Sequence, residues 1–430
     1  MQKDRCHLEF AVEKLGDCTF ESPMSGIRFV PDDESVLYHS SMAEIRPYLD
    51  SDRDPPCFEV AGPRQMVHFE PSKVRAGIVT CGGICPGLND VIRALVLSLT
   101  HHYGAARVFG FRYGYEGLTF RHRHRPVELT PDMVTGIHEQ GGTMLGSSRG
   151  PQNLGEMADF LEDVGIDILF TVGGDGTLIG ASALAGEMKR RGSNISIIGI
   201  PKTIDNDISM VQMSFGFDTA VSEARRVIYG AYTEAVGGRN GVGLVKLMGR
   251  DSGFIAAHSA LANDVVNFCL VPEIPFTEKA LLGALEGRLK EKGHAVIVAA
   301  EGAGQDLLDG PEEKDGSGNI VHKDIGLYLK DRIKEHFAGK VGGVNLKYID
   351  PGYIIRSMPA NARDSAFCLL LGQNAVHAGM AGRTNMVVGF WRNQFTHVPI
   401  SAAVAERKRI DPESWLWSAV LAATRQPDLS

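Results

Sequence analysis

Three polar groups alternate along one short stretch of this chain. Thr203, Asp205 and Asp207 lie in Pro201-Lys202-Thr203-Ile204-Asp205-Asn206-Asp207. Upstream, Gly173-Gly174-Asp175-Gly176-Thr177 sets another acid inside a glycine cluster. Backbone N–H groups of such a cluster close around an anion, and an aspartate among them faces a metal rather than the anion. Two carboxylates two residues apart, beside a lysine and a hydroxyl, suit metal-assisted phosphoryl transfer. Taken alone, the two acids also fit a turn residue and a helix N-cap, positions that aspartate favours. Beside Lys202, Asp175 and further glycine loops, the catalytic reading is the better one, and the expected core is kinase-like.

The surrounding segments have the periodicity needed to position these groups. Residues 167–172 form an apolar run of strand length, of the kind found in a parallel sheet covered on both faces. Leu178, Ala181, Leu184 and Met188 then follow at helical spacing, and 195–200 reads as the next strand, stopped by Pro201. Residues 76–80 form a strand that opens onto Cys81-Gly82-Gly83-Ile84-Cys85-Pro86-Gly87-Leu88-Asn89 and then a helix. This is the layout of a phosphate cradle, though it matches neither the Rossmann fingerprint nor the P-loop. Cys81 and Cys85 read as small buried residues. Tyr115, after a strand at 107–111, can stack on a base or simply pack. The Arg121-His122-Arg123-His124-Arg125 run reads as a solvated loop. A second glycine loop, 141–149, ends on Arg149, whose fixed fork of donors can clamp phosphoryl oxygens. Met248-Gly249-Arg250 closes a strand at 241–247, and Glu301 follows one at 295–299, where an α/β sheet presents ligand contacts. Residues 347–356 carry Lys347, Tyr353 and Arg356. Residues 303–322 read as a long polar loop.

Alternating strands and helices predict an α/β protein with parallel sheets. At 430 residues the chain divides into two domains. A net charge of -8 gives no support for nucleic-acid or membrane-surface binding. Seven scattered cysteines point to a reducing compartment. No apolar run is long enough to span a membrane, and Asp4 and Glu9 weigh against a leader peptide. A cytoplasmic enzyme is expected.

The glycine loops at 82–89 and 142–149, Gly173 to Thr177, Pro201 to Asp207 and Met248-Gly249-Arg250 resemble the 6-phosphofructokinases in order and spacing. The resemblance covers about 73–400 and is strongest to the long ATP-using enzymes of plants and trypanosomatids and their bacterial relatives. It implies transfer of the terminal phosphoryl of ATP to the 1-hydroxyl of fructose 6-phosphate, with Mg²⁺. It makes Asp205 the base, has Thr203 steady the transferring group, and adds Lys202 and Arg250 to the catalytic set. Asp175 and Asp207 hold the metal. Gly82, Arg149, Gly174, Gly176 and Thr177 contact the nucleotide phosphates, with Tyr115 near the nucleotide. Met248, Gly249, Arg250, Glu301, Lys347, Tyr353 and Arg356 surround the sugar phosphate together with Thr203 and Asp205. The resemblance also implies two α/β domains with the active site in the cleft between them, in a homodimer or homotetramer. Residues 73–216 with 355–405 form the nucleotide domain, and 217–354 with 406–430 the sugar domain and tail. Residues 1–72 form an extension packed on the core, with short elements only.

Departures from the pattern bear on the donor. Lysine at 202 is usual in pyrophosphate-dependent relatives, which carry aspartate at the position of Gly176. Glycine there leaves room for ATP, and steric exclusion outweighs the lysine, so ATP is expected and pyrophosphate is the alternative. The shorter bacterial enzymes place a cross-subunit arginine where Gly241 stands, with Arg239 nearby, an arginine at Lys347 and a histidine at Tyr353. Two further readings are an NAD or lipid kinase, which shares the Gly-Gly-Asp-Gly-Thr loop, and a catalytically silent nucleotide-binding subunit. The Pro201–Asp207 stretch opposes the first, and the retained Asp175, Asp205 and Asp207 oppose the second.

Overall fold

The computed structural model describes residues 10–51, 53–308, 310 and 321–430. Asp4, Glu9 and much of the expected 303–322 loop lie outside them. The chain forms two compact units: one comprises residues up to 203, 208–215 and 359–406, and the other 204–207, 216–358 and 407–430.

The larger unit is built on a nine-stranded sheet. Its strand order is Ser35–Leu37, Cys57–Val60, Gln394–Pro399, Met386–Trp391, Ser196–Pro201, Ile168–Gly173, Arg75–Thr80, Arg107–Phe111, Val127–Glu128. Ile168–Gly173 and Ser196–Pro201 are buried at every residue, as their unbroken apolar runs require. Each fully buried Ile or Phe here contributes on the order of 1.5–3 kcal/mol. The five strands from Met386–Trp391 to Arg107–Phe111 run parallel, but both margins are antiparallel. The expectation of a parallel sheet therefore needs correcting at the edges. Arg392 and Asn393, both at positive φ, make a two-residue hairpin turn that returns Gln394–Pro399 against Met386–Trp391.

Residues 10–72 extend that antiparallel margin with two strands. Arg383, wholly buried, donates to Asp32 at 2.7 Å and Glu59 at 2.5 Å, and Arg64 meets the same two acids at 2.9 Å each. Burial alone would raise the Glu59 carboxyl, but His397 and Arg383 outweigh it and hold it well below the carboxylate range.

The second unit holds a four-stranded, wholly parallel sheet, ordered Phe268–Leu270, His294–Ala300, Gly241–Leu247, Asn345–Ile349. Phe217–Val236 and Phe254–Leu261 cover one face with Ala220, Ala224, Ile228, Ile255 and Ala256. Gly241 is fixed by packing, because a Cβ there would overlap the carbonyl of Ala235. No side chain fits at 241, so that position offers no cross-subunit arginine. Among the described residues no helix is long and apolar enough to cross a membrane.

Candidate active site

In the larger unit, three loops come together: the first and third follow the C-terminal ends of the neighbouring parallel strands Arg75–Thr80 and Ile168–Gly173, and the second, 141–149, comes after the antiparallel edge strand Val127–Glu128. The first, after Arg75–Thr80, is tied to the 141–149 loop: the Gly82 N–H donates to Ser148 O at 3.0 Å, and Ser147 Oγ donates to Gly82 O at 2.6 Å. Thr80 Oγ1 donates to Gly146 O at 2.7 Å. Asn89 completes the tie, donating to Gln140 O at 3.1 Å and accepting from Met144 N–H at 2.8 Å. Arg149 brings its guanidinium to within 3.6 Å of where a Cβ of Gly83 would stand.

The third loop enters the Asp175–Arg191 helix. Gly173 must be glycine, since a Cβ would overlap Thr177. The N–H groups of Thr177 and Leu178 close on Gly174 O at 2.9 and 3.0 Å. Asp175 opens the first turn, half-buried, where the helix N-terminus favours anions. Gly176 differs from its neighbours. A Cβ there would have nothing within 4 Å, and its φ is outside the left-handed region. Lys202 is buried, with its N–H on Gly173 O at 3.0 Å and its Nζ on Gly83 O at 2.6 Å, so it joins the first and third loops.

Tyr115 is placed differently from a base-stacking residue. It is buried, its hydroxyl donates to Thr177 O at 2.7 Å, and its ring lies against Gly180. Packing, one of its two readings, is what it does: it props the first helical turn. Cys81 and Cys85 are buried, and burial pushes the Cys81 thiol up to about 12.

In the second unit, Asp205 and Asp207 flank Asn206, whose left-handed φ of 56° turns the chain between them. The Arg250 N–H donates to Asp205 Oδ2 at 3.3 Å. Burial, then the charges of Asp207 and Glu301, pushes the Asp205 carboxyl up to about 7. Gly249 holds a φ of 126°, and its carbonyl accepts from Gly302 N–H at 3.0 Å, so the Met248–Arg250 and Glu301 strand ends are joined. Met248 is buried. Arg356 lies 4.0 Å from Glu301 and over the Tyr353 ring at 5.5 Å. The buried Nε of Arg356 has no hydrogen-bond partner among the described residues. Tyr353 is 81% exposed. Lys347 is not brought to this group: it pairs in register with Gly243, in mid-strand, and is exposed.

The phosphofructokinase family model matches residues 75–379. The chain belongs to the phosphofructokinase family. It is similar to an ATP-dependent 6-phosphofructokinase of Borreliella burgdorferi, 46% identical over 435 residues, covering 98% of this chain and 97% of that one. It is likewise similar to one of Trypanosoma cruzi, 49% identical over 369 residues, covering 84% and 75%. Its fold is that of a pyrophosphate-dependent phosphofructokinase from Marinobacter aquaeolei, with a TM-score of 0.68 at 19% identity over 83% of this chain and 92% of that one.

Two groups near Asp207 and Arg250 carried no motif. Burial and the charge of Arg250 lower His322, whose buried Nδ1 lacks a hydrogen-bond partner among the described residues. Lys408 donates its N–H to Asp207 O at 2.8 Å, and burial pushes its ammonium down to about 8 against the pull of Asp207. The run Glu406-Arg407-Lys408-Arg409 is the only trace of it in the sequence.

Proposed function

We propose that the chain transfers the terminal phosphoryl group of ATP to the 1-hydroxyl of fructose 6-phosphate, yielding fructose 1,6-bisphosphate and ADP. The observation that carries this reading is Asp205, a carboxylate poised near 7 beside the Arg250 strand end and two other acids. A base so tuned is matched to removing a hydroxyl proton near neutral pH.

As the sugar hydroxyl attacks, its proton passes to Asp205 and its oxygen bonds to the terminal phosphorus. The bond from that phosphorus to the bridging oxygen breaks, ADP leaves, and Asp205 returns the proton to solvent. Thr203, Lys202 and Arg250 stabilise charge spread over the phosphoryl oxygens. Gly82, Arg149, Gly174 and Thr177 hold the nucleotide phosphates, while Tyr115 acts through Thr177. Met248, Gly249, Glu301, Tyr353 and Arg356 take the sugar phosphate. Lys347, exposed in mid-strand, is left out of this set. An oxygen-only donor set that crowds negative charge around Asp205 suits a hard cation, and we assign Mg²⁺ to Asp175 and Asp207. When bound, Mg²⁺ neutralises charge on the transferring group.

Gly176 supports ATP as the donor. Neither backbone strain nor packing requires glycine there, and a side chain would occupy open space at the phosphate-binding turn. The relatives at 46–49% identity are named ATP-dependent. Lys202 favours the second reading, pyrophosphate as donor, and the fold neighbour from Marinobacter aquaeolei is named for it. We assign the enzyme to the cytoplasm, as a homodimer or homotetramer. The test is product analysis by ³¹P NMR with fructose 6-phosphate, ATP and Mg²⁺. A new 1-phosphate ester with stoichiometric ADP supports the reading, and ADP formation that ignores the sugar would refute it.

A further inference from the structure

We infer that Glu116, His122 and His124 form a binding site for a transition-metal ion of the Zn²⁺ class, apart from the phosphoryl-transfer residues. One ligand atom from each of the three lies within 4.8 Å of the other two. A tetrahedral zinc ion with bonds of about 2.0–2.1 Å spaces its ligands at roughly 3.3 Å, so small side-chain rotations close the set.

The local fold holds the three in place. Glu116 sits in the tight turn Gly114–Leu118, whose carbonyl at Glu116 takes both the N–H and the hydroxyl of Thr119 at 3.2 and 2.9 Å. His122 ends the turn Phe120–His122, anchored where the Phe120 ring meets Phe160 at 5.0 Å. Arg123 then takes a left-handed φ of 54°. That brings His124 beside His122 with the rings parallel to within 3° and their centroids 6.0 Å apart. Tyr113 backs His124 at 4.9 Å. None of the three side chains has a hydrogen bond or ion pair to a described residue. All three are half-buried, which leaves a further coordination position for water.

The chemistry of the surroundings selects the metal. Arg121, Arg123 and Arg125 raise the local positive potential, and a single carboxylate cannot hold Mg²⁺ or Ca²⁺ against it. Imidazole nitrogens bind zinc, nickel and copper strongly enough to do so. Arg121 is drawn aside by Gln152, to which its Nη2 donates at 3.0 Å.

Equilibrium dialysis of the full chain against Zn²⁺ in excess Mg²⁺, with Co²⁺ absorption in parallel, tests this. One ion per chain is expected. His122→Ala and the near-isosteric Glu116→Gln should each weaken it by about 10–100-fold or more, since losing a ligand costs at least what losing a ligand's support costs. His122→Ala/His124→Ala should abolish it while phosphoryl transfer with Mg²⁺ continues. Unchanged Zn²⁺ uptake in these variants would overturn the assignment, as would wild-type uptake no greater than the Mg²⁺-competed background.

Discussion

The backbone N–H of Arg250 donates to Oδ2 of Asp205 at 3.3 Å, so a strand end of the second unit grips the candidate base through main chain rather than through a side chain. That contact favours the ionised carboxylate, while burial, Asp207 and Glu301 oppose it. The balance leaves a base that is neither always charged nor always neutral near pH 7.

Replacing this base should remove turnover without removing the fold. Asp205→Ser is expected to lower kcat by about 10²–10⁴-fold, the usual worth of a positioned general base. The KM for fructose 6-phosphate should change far less. Near-normal kcat in a folded variant would take Asp205 out of the mechanism.

The same carboxyl makes a prediction about stability. Its pKa rises from 3.8 to about 7 on folding, so the native state holds the proton more tightly. The resulting stabilisation is present below about pH 4 and is lost as pH rises through about 7. Without divalent metal, Asp205→Asn should therefore melt a few °C above wild type at pH 8, with the gap closing toward pH 5. An equal Tm difference at both pH values would contradict the shifted carboxyl.

Gly176 should trade stability against donor use. It sits in a helical first turn, where Gly→Ala stabilises by up to about 1 kcal/mol. Gly176→Ala should raise Tm yet raise the KM for ATP. Gly176→Asp places a carboxylate where phosphate must sit, a like-charge cost of several kcal/mol, so kcat/KM for ATP should fall at least about 100-fold. ATP kinetics unaffected by both changes would mean that the open space at 176 is not donor space.

Arg383 lies away from the candidate chemistry and should affect stability alone. Arg383→Met strands Glu59 and Asp32 beside the sheet margin, at a cost of about 3–5 kcal/mol for a broken buried pair. Thermal melting should show the loss, while the KM values of the folded enzyme stay unchanged. A Tm within about a degree of wild type would show that Arg64 alone can hold the acids.

What the sequence made legible was mostly local. The mainly apolar runs at 167–172 and 195–200, stopped by the Gly173 cluster and Pro201, mark the buried strands found at Ile168–Gly173 and Ser196–Pro201, because period and breaker act within a few residues. The antiparallel margins were not legible, since Arg392-Asn393 makes its turn without the glycine that usually announces one. Tyr115 could be read either way until Thr177 O, distant in sequence, claimed its hydroxyl. Asn89, His322 and Lys408 matter through residues 51 or more positions away, which no spacing rule reaches. Gly241 looked like a lost arginine until the Ala235 carbonyl explained it.

The most direct test of the account compares donors. With saturating fructose 6-phosphate and Mg²⁺, kcat/KM is measured for ATP and for pyrophosphate in the unmodified enzyme. Rapid turnover with ATP and little or none with pyrophosphate is the predicted result. A preference for pyrophosphate would contradict it and make Lys202, rather than Gly176, the residue that sets the donor.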